Sequence, residues 1–330
     1  VALPIAAFIR LSRLKFLAGG FATGALGTAV AAYEGSRIDW RAFALAQATI
    51  SLYHLMTHYA NDYFDRESDA LTRRTRFSGG SGALIDGSLA PRVALVAAWV
   101  CLALGVAGTL GLMLAGLETA AAFAAVIGPL AWFYSSPPLR LLGRGLGELD
   151  TTLVVCVLVP LCTYAAQRGA PDGLVIASTL APAAAMFAMM IAVEVPDADA
   201  DGATAKRNLV VRLGRDRALP LVAAATALLL AGFAFALAAG APRTLGIAEL
   251  CSLPAAGMLG LALWRRPGDA SRDAAIAFRG VAFFFLTVTF SLAAYLAAEA
   301  FRPAPAAAPG AFPGAARNAV GLHAVGGGDD

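Results

Sequence analysis

Nine apolar runs dominate this chain and limit what it can fold into: 14–33, 41–60, 93–115, 118–135, 149–166, 172–195, 218–239, 246–264 and 276–299. Each is close to the ~20 residues that a helix needs to cross the hydrocarbon of a bilayer. Transmembrane β-strands run to about 10 residues with strict alternation, and no such alternation is present. Inside lipid every backbone polar group must find a partner within the chain, so helices are the spanning form open to these runs. The sequence therefore predicts an all-α, polytopic membrane helical bundle of about nine transmembrane helices.

Charge agrees with this reading. Only 14% of the 330 residues are charged and 59% are hydrophobic, whereas a soluble domain carries about 25% charged residues. A chain so poor in charge cannot cover a soluble surface, which argues against a soluble enzyme, a disordered protein or a nucleic-acid binder. Cys101, Cys156, Cys162 and Cys251 sit inside apolar runs without a CxxC pair, so neither a zinc site nor a disulfide framework is suggested. The first apolar run is long and has no convincing cleavage site, which predicts a membrane helix rather than a removable leader.

Orientation follows from the basic residues. With the N-terminus and the connections after helices 2, 4, 6 and 8 on one side, that side receives 19 of the 25 Lys and Arg residues. The positive-inside rule assigns it to the cytoplasm, in the cell inner (plasma) membrane. The Pro/Ala/Gly-rich stretch 301–330 is read as a disordered tail on the outer side, after a membrane domain spanning 1–300. Within the first helix, Gly20 and Gly24 have a spacing that lets helices approach closely, although a Gly-rich composition also produces it by chance.

The chemistry-bearing residues lie in the two longest connections on the basic side. NDYFDRESD occupies 61–69 at the end of helix 2, and EVPDADAD occupies 194–201 at the end of helix 6. Asn61, Asp65 and Asp69 are spaced i, i+4, i+8, and Glu194, Asp197 and Asp201 are spaced i, i+3, i+7. On a continuing helix each trio shares one face, although Pro196 threatens the second. Like charges gathered in this way need a cation. Hard oxygen ligands suit Mg²⁺, which binds through a few carboxylates, substrate phosphates and retained waters.

Arg73 and Arg74 follow the first cluster, and Lys206 and Arg207 the second; such residues clamp diphosphates. The clusters lie four helices apart with the same polarity, the pattern of a parallel internal repeat. Two facing carboxylate sets could hold two metals on one diphosphate and ease its departure. Asp197-x-Asp199-x-Asp201-Gly202 also opens like a calcium loop, but its twelfth position is Asn208 rather than a bidentate Glu.

Other signals are weaker. His54 and His58 are spaced i, i+4 without the Glu of a zinc-protease motif, and packing or lining a polar cavity explains them better. Gly79-Gly80-Ser81-Gly82 could offer backbone N–H groups to phosphate, or serve as a hinge. YSSPPLR at 134–140 ends helix 4 with a double proline, which places Tyr134 near the surface. Arg140 and Arg144 are diphosphate ligands or plain positive-inside residues.

Together these residues resemble the UbiA superfamily of intramembrane aromatic prenyltransferases over roughly residues 8–300. NDYFDRESD is similar to that family's first acidic motif, DADAD followed by KRNLVVRLG to its second, and YSSPPLR to a third landmark. The chain departs from the pattern at Leu14, where many members have Pro after Arg, and at Asn208, where Thr or Ser is usual. The resemblance implies a nine-helix bundle with a cytoplasmic cap. It implies Mg²⁺ bridging an isoprenyl diphosphate to Asn61, Asp65, Asp69, Asp197 and Asp201, with Glu194 in the same set. Arg13, Arg73, Arg74, Arg140, Lys206 and Arg207 then bind the diphosphate, and Tyr134 stabilises the allylic cation.

The implied partners are a polyprenyl diphosphate, an aromatic small-molecule acceptor and the bilayer, with no nucleic acid and no obligatory protein partner. KRNLVVRLG is similar to menaquinone-pathway members, which use 1,4-dihydroxy-2-naphthoate. Acceptors such as 4-hydroxybenzoate, homogentisate, chlorophyllide or haem share the scaffold. An ion-coupled transporter is the main rival, but transporter sites lie near the bilayer midplane on broken helices, and these acids fall at helix ends. A CDP-alcohol phosphotransferase would carry a DGxxAR opening, which is absent.

Overall fold

A computed structural model describes residues 4–204, 206–265 and 268–301. The tail expected over 301–330 lies outside the described residues apart from Phe301. All regular structure among the described residues is helical. A short helix α1 (Ile5–Ser12) leads through Arg13, whose left-handed backbone (φ 45°) turns the chain, into α2 (Leu14–Tyr33). Helix α3 (Trp40–Phe64) starts at Asp39, whose carboxylate accepts from the N–H groups of Arg41 and Ala42; this caps otherwise unpaired donors. A short α4 (Arg66–Leu71) follows, then α5 (Pro91–Leu114) and α6 (Glu118–Phe133).

The next rod, Gly147–Arg168, is composite: α7 (Gly147–Leu153), a π-helical turn (Val154–Leu158) and α8 (Val159–Arg168). Helix α9 (Gly173–Glu194) is capped by Asp172 and followed by the short α10 (Ala198–Ala203) and α11 (Leu209–Leu213). Then come α12 (Ala218–Ala238), the pair α13 (Arg243–Leu250) and α14 (Leu253–Trp264), and α15 (Ala270–Ala300).

Seven of these rods are long and apolar enough to cross a membrane: Leu14–Tyr33, Pro91–Leu114, Gly147–Arg168, Gly173–Glu194, Arg215–Ala238, Arg243–Trp264 and Ala270–Ala300. The two other apolar runs also form helices. Helix α6 has only 16 residues, and α3 has 25 but carries Gln47, His54, His58 and Asn61. Large apolar side chains cover the outside: Val96, Trp99, Val100, Leu104 and Leu110 of α5 are all exposed. An apolar surface this continuous is a liability in water and the ordinary state in lipid, so the chain is a multi-pass membrane protein.

Lipid supplies little drive for apolar helices to associate, so close backbone packing carries the fold. Helix α9 is the most buried rod and packs against α12, α15 and the π turn, while α3 packs on α5 and α6. Helix α2 joins the two groups through α8 and α15. Its glycines permit this. A Cβ on Gly27 would collide with the Pro160 carbonyl of α8, one on Gly24 with the Gln47 amide of α3, and one on Gly20 would lie 2.9 Å from His54 Nδ1. The small-residue spacing in α2 is therefore a packing seam.

Candidate active site

Both acidic motifs sit where a long helix gives way to a short one. Asp65 alone separates α3 from α4, and Asp197 is the residue before α10, three positions past the end of α9. The helices do not run on unbroken, as the simple face argument supposes. Asp65 bends the first, and the second opens into a turn at 195–197 because Pro196 has no N–H to donate. The shared face survives nonetheless. Asp65 N–H donates to the Asn61 carbonyl and Asp69 N–H to the Asp65 carbonyl, while Asp201 N–H donates to the Asp197 carbonyl. Asn61, Asp65, Asp69, Glu194, Asp197 and Asp201 all line one cavity of about 410 Å³.

One cation ties the two motifs together. Lys206 Nζ lies 3.1 Å from Asp65 Oδ2 and 3.3 Å from Asp201 Oδ1. Burial works against its charge, but Asp65, Asp201 and Asp69 outweigh burial and hold the ammonium well above the usual lysine range. Asn61 donates to Asp65 Oδ2 at 2.8 Å and to Ser135 Oγ at 3.0 Å. Asn208 donates to Asp201 Oδ2 at 2.8 Å while its own Oδ1 caps α11 through Val211 N–H. Asparagine thus does the capping work of a hydroxyl residue and also orients a carboxylate.

The glycine loop closes the cavity. Gly79, Gly80 and Gly82 have positive φ, which L side chains rarely adopt. Gly79 N–H donates to Asp197 Oδ2 at 3.1 Å, and Ser81 N–H and hydroxyl donate to Asp62. Asp62 also pairs with Arg13 Nη2. The loop is thus fastened to both motifs, and Asp62 is its anchor.

Several buried groups are left unsatisfied. Asp197 Oδ1, both Glu194 carboxylate oxygens and Arg13 Nε have no hydrogen-bond partner among the described residues, which is costly unless a ligand completes them. Burial raises the Asp69 carboxyl to about 6, with Arg13 pulling the other way, and raises Asp197 to about 7, reinforced by Asp201. Asp201 is raised for the same reason and drawn back by Lys206. Burial lowers Arg13, against the pull of Asp69 and Asp65.

No three His, Cys, Asp or Glu side chains among the described residues form a metal cage of their own. Mg²⁺ does not require one, because it keeps waters and shares its shell with phosphate oxygens. Carboxylates from two motifs bridged by an ammonium, with partnerless oxygens beside it, are a donor set that fits a hard divalent cation completed by a substrate.

The basic residues divide. Arg13, Arg74 and Lys206 line the acidic cavity, and so do Lys15 and Arg76, which the motif spacing did not single out. Arg140 lines an adjoining cavity shared with Asp65, Arg144 and Lys206. Arg73 is exposed and lines neither. Arg207 is spent on backbone carbonyls of its own loop, those of Gly202, Thr204 and Lys206.

A second, apolar cavity of about 200 Å³ lies against the first. The two share Arg13, Phe16, Asn61, Phe77, Tyr134, Met190 and Val193. Tyr134 stands at the junction. His54 and His58 line the apolar cavity with ring centroids 4.6 Å apart, and His58 Nδ1 is 2.9 Å from the Ser12 carbonyl. Together the cavities offer a charged mouth for a polyanion and a greasy chamber for whatever is attached to it.

Known proteins are similar to this chain in sequence and fold. A family model for the UbiA prenyltransferase family matches residues 21–289. A 1,4-dihydroxy-2-naphthoate octaprenyltransferase of Mycobacterium tuberculosis (strain ATCC 25618 / H37Rv) is 28% identical over 207 residues, 62% of this chain and 69% of that protein. A UbiA homolog from Archaeoglobus fulgidus, solved with DMAPP and Mg²⁺ bound, superposes with a TM-score of 0.64 at 17% identity, covering 89% of this chain and 99% of that one. An apo UbiA homolog from Aeropyrum pernix K1 gives a TM-score of 0.60 at 17% identity, covering 84% and 96%. At such identities the two structures speak for the fold alone.

Proposed function

Because the chain belongs to the UbiA prenyltransferase family, we propose that it transfers an isoprenyl chain from a polyprenyl diphosphate to an aromatic acceptor in quinone biosynthesis, with Mg²⁺ as cofactor. The acceptor favoured is 1,4-dihydroxy-2-naphthoate, on the strength of the mycobacterial relative and the KRNLVVRLG stretch. The observation that carries the reading is the joining of the two acidic motifs around Lys206 at the mouth of an apolar chamber.

In this reading Asn61, Asp65, Asp69, Asp197 and Asp201 hold Mg²⁺, with Glu194 behind them. Bound there, Mg²⁺ neutralises diphosphate charge and improves it as a leaving group. Lys206, Arg13 and Arg74 take phosphate oxygens from the cavity wall, and Arg140 approaches from the adjoining cavity. The hydrocarbon chain enters the apolar cavity past Tyr134, whose ring face suits a developing allylic cation. The C1–O bond breaks with its electron pair leaving on diphosphate. An electron-rich ring carbon supplies the pair for the new C–C bond, and the ring then loses a proton, or its carboxyl group as carbon dioxide.

The same reading takes all nine helices as spans. Helices α3 and α6 complete the count, and α4 and α10, which pack together, form the core of a cytoplasmic cap. The two helix-to-short-helix motifs are then the ends of a parallel repeat within 1–300, with the basic side in the cytoplasm of the inner membrane. Purified protein incubated with Mg²⁺, a polyprenyl diphosphate and a panel of aromatic acceptors should release pyrophosphate and form a lipophilic product. Chelation should stop both. Turnover that continues in excess chelator, or no product with any aromatic acceptor, would refute the proposal.

A further inference from the structure

The apolar cavity contains one group that a hydrocarbon chain cannot satisfy. Asp150, in the first helical turns of α7, lines it and is only 8% exposed. Its Oδ1 is buried without a partner, and no side chain or backbone donor among the described residues reaches its carboxyl group. Burying a carboxyl in this way is expensive, and a prenyl tail offers it no hydrogen-bond donor. The neighbouring backbone is also irregular. The π turn Val154–Leu158 begins four residues later, and such single turns concentrate at functional sites.

The cavity's other polar groups are largely committed. His58 Nδ1 is held by the Ser12 carbonyl, Asn61 by Asp65 and Ser135, and Arg13 pairs with Asp62. Asp150 Oδ1, by contrast, is a buried acceptor with no partner among the described residues. It faces a space whose rim, at Asn61, Arg13 and Tyr134, is also the rim of the acidic cavity.

We infer that Asp150 is the acceptor-recognition residue: its carboxylate accepts a hydrogen bond from the hydroxyl of a phenolic ring seated in the apolar cavity beside the reacting end of the prenyl diphosphate. This deepens the proposed function and rests on it. The chemistry follows. As a ring carbon gives its π electron pair to the prenyl C1, the phenol oxygen becomes positively polarised and its proton moves onto Asp150, leaving a keto tautomer. The ring carbon then releases its own proton to the departing diphosphate, and Asp150 returns the first proton to the oxygen. The net products are the prenylated phenol and protonated diphosphate; where the reacting carbon carries a carboxyl group in place of hydrogen, carbon dioxide leaves instead and the diphosphate departs without that proton.

The test uses Asp150→Leu and Asp150→Asn in the full-length protein with Mg²⁺ and one prenyl diphosphate. Hydroxylated acceptors are compared with analogues methylated on that oxygen. The expected result for Asp150→Leu is an acceptor KM at least about tenfold higher, as for loss of a hydrogen bond to a charged group, with the KM for prenyl diphosphate unchanged. The wild type should discriminate between hydroxy and methoxy acceptors and Asp150→Leu should not, with Asp150→Asn in between.

Removing an unpartnered buried carboxyl should leave the melting temperature equal or higher, whereas a residue kept for structure would lower it. An unchanged acceptor KM in an active Asp150→Leu variant, or a lowered melting temperature with discrimination intact, would overturn the inference while leaving the prenyl-transfer reading standing. A wild type that prenylates no aromatic ring would overturn both.

Discussion

Replacing Lys206 by Met keeps the aliphatic stem and deletes the charge that joins the two motifs. At 3.1 and 3.3 Å from Asp65 and Asp201, each attraction is about 5 kcal/mol with an effective dielectric constant of about 20. Much of that offsets the desolvation of three groups whose side chains are 15%, 8% and 2% exposed. Removing one partner of a buried pair typically costs roughly 3–5 kcal/mol, because the other charges stay buried and uncompensated. Metal-free Lys206→Met in detergent should therefore melt well below wild type. Mg²⁺ should recover more stability in the variant than in wild type, since carboxylates without the ammonium bind a divalent ion more readily. At 100 times its dissociation constant a ligand contributes about 2.7 kcal/mol, which would bring the variant most of the way back to metal-free wild type. Thermal scans with and without Mg²⁺, paired with Mg²⁺ titration, read both effects. A variant that melts like wild type and binds Mg²⁺ with the same affinity would refute this reasoning.

Asp65→Asn and Asp201→Asn should each reduce product formation by at least about 100-fold, more than the loss of an outer-shell metal partner, with the circular dichroism spectrum retained; near-normal turnover in either would remove the metal role. Protons and Mg²⁺ compete for Asp69 and Asp197, which burial raises to about 6 and about 7. Mg²⁺ affinity should therefore fall as pH drops through that range, by more than about tenfold between about pH 8 and about pH 5.5, and a flat calorimetric profile would contradict the assignment. Gly27→Ala, which drives a methyl group into the Pro160 carbonyl, should cost roughly 1–3 kcal/mol as an overpacked core substitution does, lowering the melting temperature without altering acceptor KM.

Much of the fold could be read from the sequence because lipid imposes a simple rule: apolar runs of the right length become helices. Each apolar run is helical with soft edges of a few residues, although 149–166 carries the π turn Val154–Leu158 and 246–264 is split between α13 and α14. Helix α3 was legible by length but carries enough polar residues to blur its hydropathy, because its inner face lines the site rather than lipid. The pairing of Asp65 with Asp201 through Lys206 was legible only as a repeat of motifs, since 136 positions separate the two acids and their meeting depends on how α3 and α9 pack. Asp62 was visible as one more acid in a cluster, yet its task of anchoring Arg13 and Ser81 appears only once the glycine loop folds back.

Arg73 and Arg207 looked like phosphate clamps by position. Arg73 is exposed, and Arg207 Nη1 donates to backbone carbonyls of its own segment, a placement that spacing does not encode. Asp150 lies outside both acidic motifs. The clue was its position, as an acid at the start of the apolar run 149–166 with no basic residue at helical spacing on that run.

The central claim is that the two acidic motifs act on one diphosphate through shared metal. A structure of the full chain with Mn²⁺ and a non-hydrolysable prenyl diphosphate, with the metal located by its anomalous signal, tests it most directly. The account predicts metal density between the Asp65–Asp69 and Asp197–Asp201 carboxylates with the diphosphate against it and the prenyl chain past Tyr134. Metal or diphosphate found at one motif alone, or outside the cavity they line, would contradict it.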